Sequence, residues 1–342
     1  MLDAHVLLIG HGSIGKFHLD RLTKLVKFID VVEPLPMNRV LKNPIANTNE
    51  INFYSEISEL QNNYIYEFAV IANWGPDHVE TIIQLFEKGI TKFLVEKPLC
   101  DSLKDLKIIE NLVLERKIEI ISHYQWSYSF LPKLVEDIAS KHILGNTVSM
   151  VINGGAKCLM TNGIHYLALA EVLFHEEPVA SSIIYENETI NPRNSKFVFL
   201  EGNATWKYPK SKYLSINFFN KSHVSIICII NFEFGYGIIQ NENINIYAIP
   251  KEKREQISSP TRTVNATDLV FSGPAFSFPD GQDGSDVIYS KLFKNISVED
   301  ALHGIRTIKD FILTLDKNVN TKIDRNISKM SIQQMEKKWN LS

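Results

Sequence analysis

The sequence is short of the features that mark several protein classes. It has three cysteines, Cys100, Cys158 and Cys228, far apart and without C-x-x-C spacing. That excludes a disulfide framework or a cysteine zinc site and suits a reducing compartment. No apolar run reaches membrane-spanning length; the longest, 224–230, is interrupted by Ser225 and reads as a buried strand. There is no basic block, and the formal net charge of −3 offers no footprint for nucleic acid. Internal repeats, low-complexity tracts and a leader pattern are absent, so the expectation is a cytoplasmic protein. No metal constellation stands out either, since His175-Glu176-Glu177 is contiguous and reads as a solvated turn. What is present is an ordinary apolar content in 342 residues, enough for two domains.

The N-terminus carries the first positive signal. The apolar run His5–Gly10 leads into Gly10-His11-Gly12-Ser13-Ile14-Gly15, and Ile14, Phe17, Leu22 and Leu25 can then share one helical face. Strand, G-x-G-x-x-G and helix is the context of a dinucleotide fingerprint. Gly10 permits the tight turn, Gly12 lets the backbone approach a pyrophosphate, and Gly15 lets the helix pack on the strand. The amides near Ser13 and Ile14 would face the phosphates at the positive end of the helix. A second strand, 28–33, ends in Glu33, roughly twenty residues beyond the fingerprint, where a carboxylate accepts from the adenosine ribose. It would repel a 2′-phosphate, so NAD is expected over NADP; Arg39 nearby weakens that preference without reversing it.

Further buried strands are expected at 67–73, 92–99 and 118–126, with a helix over 78–88 stopped by Gly89. Strands alternating with helices predict a doubly wound parallel sheet. Ligands in such sheets sit at the strands' carboxyl ends. Those ends here hold Gly10, Glu33, Asn73, Glu96-Lys97-Pro98 and His123-Tyr124-Gln125. His11 reads as a spacer in the glycine loop, and His123, Tyr124, Gln125 and Trp126 as residues that pack on the nicotinamide or line a pocket.

From Glu96-Lys97-Pro98 onward the chain resembles the Gfo/Idh/MocA family of nicotinamide oxidoreductases. The resemblance is carried by GHGSIG (10–15), AVIANWGPDH (69–78), FEKGITKFLVEKPL (86–99) and GG…NGIH (154–165). It implies an N-terminal Rossmann domain and a C-terminal α/β domain with a large open antiparallel sheet used for oligomer contacts. It also implies a tightly held NAD(P) and a sugar, polyol or nucleotide-sugar substrate. Lys97 matches the family lysine beside the nicotinamide and the reacting carbon, and His165 the histidine of the second-domain motif. That motif commonly reads D-x-G-x-H-x-x-D, whereas this chain has Thr161 and Ala168 at the two aspartate positions. The proton is thereby left to Lys97 and His165.

Hydride transfer between nicotinamide and a carbinol requires one proton to move with it. Lys97 can donate to a carbonyl oxygen or stabilise alkoxide charge, and His165 titrates near neutrality. Asn162 would hydrogen-bond a substrate hydroxyl or cap the following apolar helix. The expected cofactor-binding residues are Gly10, Gly12, Ser13, Ile14, Gly15, Glu33, Asn73, Glu96, Lys97 and Gln125. The expected substrate-binding residues are Lys97, Tyr124, Trp126, Asn162 and His165, with no metal.

From about residue 147 long strands rich in Ile, Val, Phe and Tyr predict an antiparallel sheet: 147–154, 179–190, 196–208, 213–220, 224–240 and 243–250. A helix over 161–174 can pack on it. Residues 251–286 read as loop, and 297–315 as a helix with an N-cap serine that, by family analogy, returns towards the first domain. The expected architecture is a Rossmann domain over 1–124 and a substrate-binding, oligomerisation domain over 125–342. The expected activity is an NAD-dependent oxidoreductase of a carbohydrate hydroxyl or ketone, a homodimer or homotetramer through the C-terminal sheet, with neither nucleic acid nor membrane as partner. Reduction of a non-sugar cyclic substrate and a catalytically silent NAD-binding regulator are the alternatives.

Overall fold

A computed structural model describes residues 2–36, 39, 49–60, 65–141, 144–186, 200–219, 221–255, 257, 263–264 and 267–319. The chain divides into two compact units. Among the described residues, the first comprises 2–123 and 288–309, and the second 124–287 and 310–319.

In the first unit the expected alternation is realised as β1 (Leu2–Ile9), α1 (Ser13–Leu25), β2 (Val26–Val32), β3 (Glu50–Tyr54), β4 (Ala69–Ile71), α2 (His78–Glu87), β5 (Lys92–Val95), α3 (Leu103–Leu114) and β6 (Glu119–Ser122). The strands form one parallel sheet in the order β3-β2-β1-β4-β5-β6, the doubly wound Rossmann arrangement. Val6–Leu8, the whole of β4 and Phe93–Val95 have essentially no exposed surface, as strands covered on both faces require.

The face of α1 differs from the expected one. Gly15, His18, Leu19 and Leu22 are buried, while Ile14 is 38% exposed. A Cβ on Gly15 would collide with the Gly10 carbonyl oxygen, so this glycine brings its side of the helix onto β1 and turns Ile14 outward. Gly89 stops α2 with φ +90, a conformation that favours glycine.

The second unit begins with α4 (Phe130–Ser140), β7 (Thr147–Gly154), α5 (Ile164–Phe174), β8 (Ala180–Glu186), β9 (Glu201–Lys207), β10 (Tyr213–Phe218), β11 (Ile227–Phe232), β12 (Gly235–Gln240) and β13 (Asn243–Ala248). It continues through α6 (Lys251–Arg254) and β14 (Asp268–Pro274). Helix α7 (Gly284–Lys294) crosses the boundary between units, as does α8 (Val298–Val319). The second sheet runs β14-β13-β12-β11-β7-β10-β9-β8.

Four expectations are corrected. First, the sheet is antiparallel except at β7–β10, which pair in parallel. After β7 the chain passes through α5 to the far edge at β8 and returns as a meander, so β10 meets β7 by a crossover. Second, the single run expected over 224–240 is the hairpin β11–β12, with Glu233-Phe234 as its two-residue turn. Third, 251–286 is not all loop. It holds α6, β14 and the start of α7; β14 is an exposed edge strand carrying Gly273 and Pro274, which weakens its sequence pattern. Fourth, the strand expected over 118–126 stops at Ser122, where Ser127 N donates to Tyr124 O in a turn. Parts of two expected strands, 187–190 and 196–199, lie outside the described residues.

The apolar sequence of α5 follows from its burial on every side, with nine of its residues from Ile164 to Ala170, Leu173 and Phe174 all enclosed. The helix is entered through a π-helical turn, Leu159–Gly163. Ser297 caps α8 as expected: Asp300 N donates to Ser297 Oγ at 3.1 Å, and Ser297 N to Asp300 Oδ2 at 3.1 Å.

Candidate active site

The first unit presents the dinucleotide half. Gly10 has φ +89, and a Cβ there would stand 2.7 Å from the Ala72 carbonyl oxygen. A Cβ on Gly12, by contrast, would meet nothing within 4 Å. The loop is therefore closed on the sheet side and open where a pyrophosphate would approach. Glu33, first residue past β2, is 4% exposed. Its Oε2 accepts from His11 N at 2.7 Å and its Oε1 from Leu35 N at 2.9 Å. Arg39 is fastened to the same strand end through Glu33 O (2.7 Å), Pro34 O (3.1 Å) and Ser55 Oγ (2.9 Å). At the end of β4, Asn73 Nδ2 donates to Thr81 Oγ1 at 2.9 Å, while its buried Oδ1 meets no donor among the described residues. A glycine loop open on one side, a strand-end carboxylate and a buried acceptor at the switch point between β1 and β4 fit a dinucleotide.

At the end of β5 the structure assembles a group that the sequence reading had scattered. Glu96, also 4% exposed, accepts on Oε1 from His18 Nε2 (2.9 Å) and His123 Nδ1 (2.7 Å). Glu96 Oε2 accepts from the Lys97 main-chain N–H at 3.2 Å. Behind His18, Nδ1 lies 2.7 Å from Tyr289 Oη. His18 and His123 meet edge to face with centroids 4.9 Å apart. The two imidazole donors hold the Glu96 carboxyl well below the usual carboxylate range despite its burial. Burial pushes the His18 imidazole down and the Tyr289 hydroxyl up. His18 is thus neutral, donating from Nε2 and accepting from Tyr289 at Nδ1. His123, expected to pack on the nicotinamide or line a pocket, is 3% exposed with its Nδ1 on Glu96. These ligand-type atoms lie within 4.8 Å of one another, but the 2.7 and 2.9 Å separations are those of hydrogen bonds. His18 was missed because the face of α1 read from the sequence did not include it; a buried histidine needs a polar partner. Its partner, far away in sequence, was not readable.

The second unit carries Tyr124, Gln125, Trp126, Asn162 and His165. His165, in the first turn of α5 and 7% exposed, has the Trp126 ring at 4.9 Å and the Tyr124 ring at 6.1 Å. Those three expected substrate residues are brought together. Asn162 makes no side-chain cap to α5; its Oδ1 accepts from Thr161 Oγ1 at 3.5 Å. Gln125 Oε1 accepts from Ser285 Oγ at 3.0 Å. Trp126 stacks on Phe276 at 5.2 Å and 17°. The pair lines an open cavity of about 510 Å³ with Tyr166, Lys157, His223 and Gln240. That volume is within the range of small-molecule sites.

Comparison with known proteins agrees with this geometry. Residues 4–122 match the GFO_IDH_MocA family model, described as an oxidoreductase family with an NAD-binding Rossmann fold. The match to the Gfo/Idh/MocA family is therefore carried by this segment, about a third of the chain. Inositol 2-dehydrogenase 3 of Saccharopolyspora erythraea is 26% identical over 110 residues, 32% of each chain. The matched segment spans about a third of the length of such curated relatives. The WlbA dehydrogenase of Chromobacterium violaceum, solved with NADH and UDP-GlcNAcA, superposes with TM-score 0.65 at 15% identity, covering 93% of this chain and 94% of that one. The transcriptional regulator Gal80p of Kluyveromyces lactis gives TM-score 0.67 at 11% identity, covering 92% and 90%. At such identities the structural likeness establishes the fold, over nearly the whole chain.

Proposed function

We propose that the protein is an NAD-dependent oxidoreductase acting on a carbohydrate hydroxyl or the matching ketone. The observation that carries the cofactor choice is the buried Glu33 carboxylate at the end of β2, which can accept from ribose hydroxyls and would oppose a 2′-phosphate. Gly10, Gly12, Ser13, Ile14 and Gly15 would hold the pyrophosphate. Asn73, Glu96, Lys97 and Gln125 complete the proposed cofactor set. The nicotinamide supplies the hydride acceptor or donor when bound. Lys97 is proposed to deliver or take the hydroxyl proton and to stabilise alkoxide charge, with His165 as second acid–base group.

The substrate class is supported by the Trp126–Phe276 stack, whose faces suit the C–H surface of a sugar ring, beside Lys157, His223 and Gln240. Curated relatives named for inositol oxidation point the same way. A cytoplasmic homodimer or homotetramer through the second sheet completes the reading. A second reading, a silent NAD-binding regulator, is favoured by one observation: Thr161 and Ala168 stand where the family motif has aspartates. The deciding experiment is mass spectrometry of ligands released from the purified protein, followed by a sugar, polyol and nucleotide-sugar panel monitored at the NADH absorbance. Turnover of any member that Lys97→Met abolishes supports the enzyme. Bound NAD with no turnover across the panel supports the regulator.

A further inference from the structure

The cavity of about 510 Å³ beside Trp126 is built by the second unit alone, and it holds two opposite charges that do not meet. One wall forms just past β7. Gly155 N donates to Val224 O at 3.0 Å and Ala156 N to Ser222 O at 3.0 Å, which carries the antiparallel approach of β7 and β11 beyond both strands. A Cβ on Gly155 would collide with the Ser222 carbonyl oxygen, so this approach requires glycine. Lys157, one residue past Ala156, and His223, between the two acceptors, are thereby brought to the lining of one cavity. Neither side chain has a hydrogen bond or ion pair among the described residues. Glu242 lines the same cavity from the tip of the β12–β13 hairpin. Asn241 and Glu242 have φ 49 and 65, the left-handed backbone of a two-residue hairpin turn. Asparagine tolerates that conformation, whereas glutamate carries a strain that glycine would relieve. A carboxylate kept where glycine fits better, facing a cavity, points to a role for the side chain. Among the described residues Glu242 forms no ion pair, with Lys157 or with any other cation.

We propose that this cavity takes a hydroxylated ring bearing an anionic group, a carboxylate or a phosphate, and that Lys157 and Glu242 select it. Lys157 supplies charge-assisted N–H donors to the anion, and His223 adds a ring N–H donor from the same wall. Glu242 only accepts, so it takes the hydroxyl donors of the ring, and its two oxygens can share a vicinal pair. It repels the anionic group, which fixes the end of the ring that faces Lys157. The Trp126–Phe276 pair supplies apolar surface for the ring's C–H groups. A neutral polyol satisfies Glu242 but brings no countercharge to Lys157. A bare anion meets Lys157 but offers Glu242 no hydroxyl. The ring that answers both side chains carries hydroxyls and one anionic group together. The inference rests on the substrate reading above and does not depend on where the cofactor lies.

The test is a ligand-observed NMR titration of the full chain, with and without saturating NAD. The probes are glucose and myo-inositol as neutral rings, glucuronate and glucose 6-phosphate as anionic ones, and inorganic phosphate alone. At least one anionic ring is expected to bind roughly tenfold more tightly than glucose, with a gain that shrinks at high salt. A gain for glucuronate assigns a carboxylate, and a gain for glucose 6-phosphate a phosphate. Lys157→Met keeps the side-chain stem and should erase the gain while leaving glucose binding nearly unchanged. Glu242→Gly should weaken glucose and the anionic rings alike by several-fold, and keep or raise Tm because it relieves the turn. A purely structural glutamate would move Tm and no Kd. Equal affinities for glucose and both anionic rings, a gain that survives Lys157→Met, inorganic phosphate binding as tightly as glucose 6-phosphate, or no binding by any probe would each overturn the proposal. Turnover of neutral polyols alone would remove this inference and leave the oxidoreductase reading standing. A gain for an anionic ring in a chain that binds no NAD would keep this inference while the cofactor reading falls.

Discussion

Glu33 and Glu96 occupy equivalent places. Each is the first residue past a parallel strand, β2 and β5, and each is 4% exposed. They differ in what holds them. Glu33 receives two main-chain N–H groups, His11 and Leu35, whereas Glu96 receives two imidazoles on one oxygen. Main-chain amides do not titrate in the physiological range and imidazoles do. One carboxylate, the proposed reader of the cofactor's ribose, is therefore held by main-chain groups alone, and the other by side chains from distant parts of the chain. Topology places both carboxylates at strand ends, and their partners decide how each is held.

The largest expected effect lies beside Glu96. Lys97→Met keeps the side-chain stem and leaves the main-chain N–H that Glu96 accepts, but removes the charge and the side-chain donor. Turnover on any substrate the panel identifies should fall by at least about a hundredfold. The Kd for NAD should change little, because the fingerprint and Glu33 lie at other strand ends. Normal turnover would make Lys97 a surface residue and leave only cofactor binding at this end of the sheet.

The next effect tests the fixed carboxylate. Glu33→Ser removes the acceptor and the repulsion together, and leaves Arg39, already fastened to this strand end, as a cation to meet a 2′-phosphate. The preference for NAD over NADP should narrow by roughly ten- to a hundredfold, measured as the ratio of the two Kd values. Unchanged affinities for both would place the ribose elsewhere.

The strand-end positions of these two residues were legible because the Rossmann pattern is local. A glycine fingerprint, buried strands and the charges at their ends are read within a few residues of one another. The His18–Glu96–His123 group was not, because its members come from α1, β5 and β6 and meet only through the sheet order. The second sheet was legible as strands and not as a topology: the β7–β10 parallel pair depends on where the meander docks. Strand β14 escaped notice because exposed edge strands lack a clean alternation. The face of α1 was misread by a one-residue rotation that Gly15 imposes through close packing.

A smaller effect separates the two glutamates by stability. His18 and His78 have lowered pKa values in the folded chain. As pH falls below about 6.5, the unfolded chain takes up protons that the folded one refuses, and stability is lost. Glu96, depressed well below its usual value, contributes stability above the ordinary carboxylate range that is lost only at much lower pH, as the carboxyl protonates. The melting temperature is therefore expected to drop by a few degrees between pH 7.5 and pH 5.5. In His18→Gln that drop should shrink, and in Glu33→Ser it should persist. An equal drop in His18→Gln and the parent would show that this histidine is not the acid-sensitive element.

The smallest effect concerns a place with no carboxylate. Thr161, one turn before His165, stands where the family motif has an aspartate, and it offers a hydroxyl that donates to Asn162 Oδ1 at 3.5 Å. A hydroxyl cannot stabilise an imidazolium as an anion does. Thr161→Asp should therefore raise the His165 titration midpoint, followed by imidazole NMR. If neutral His165 is the base for hydroxyl oxidation, the acidic limb of the pH–rate profile should move up with it. Turnover would then fall about two- to tenfold near pH 6 and stay unchanged near pH 8. A moved NMR midpoint with an unmoved rate profile would reduce His165 to packing against Trp126 and Tyr124. Midpoint and profile both identical to the parent's would show that position 161 does not reach the imidazole. The departure from the family motif at Thr161 would then carry no cost for acid–base chemistry at His165.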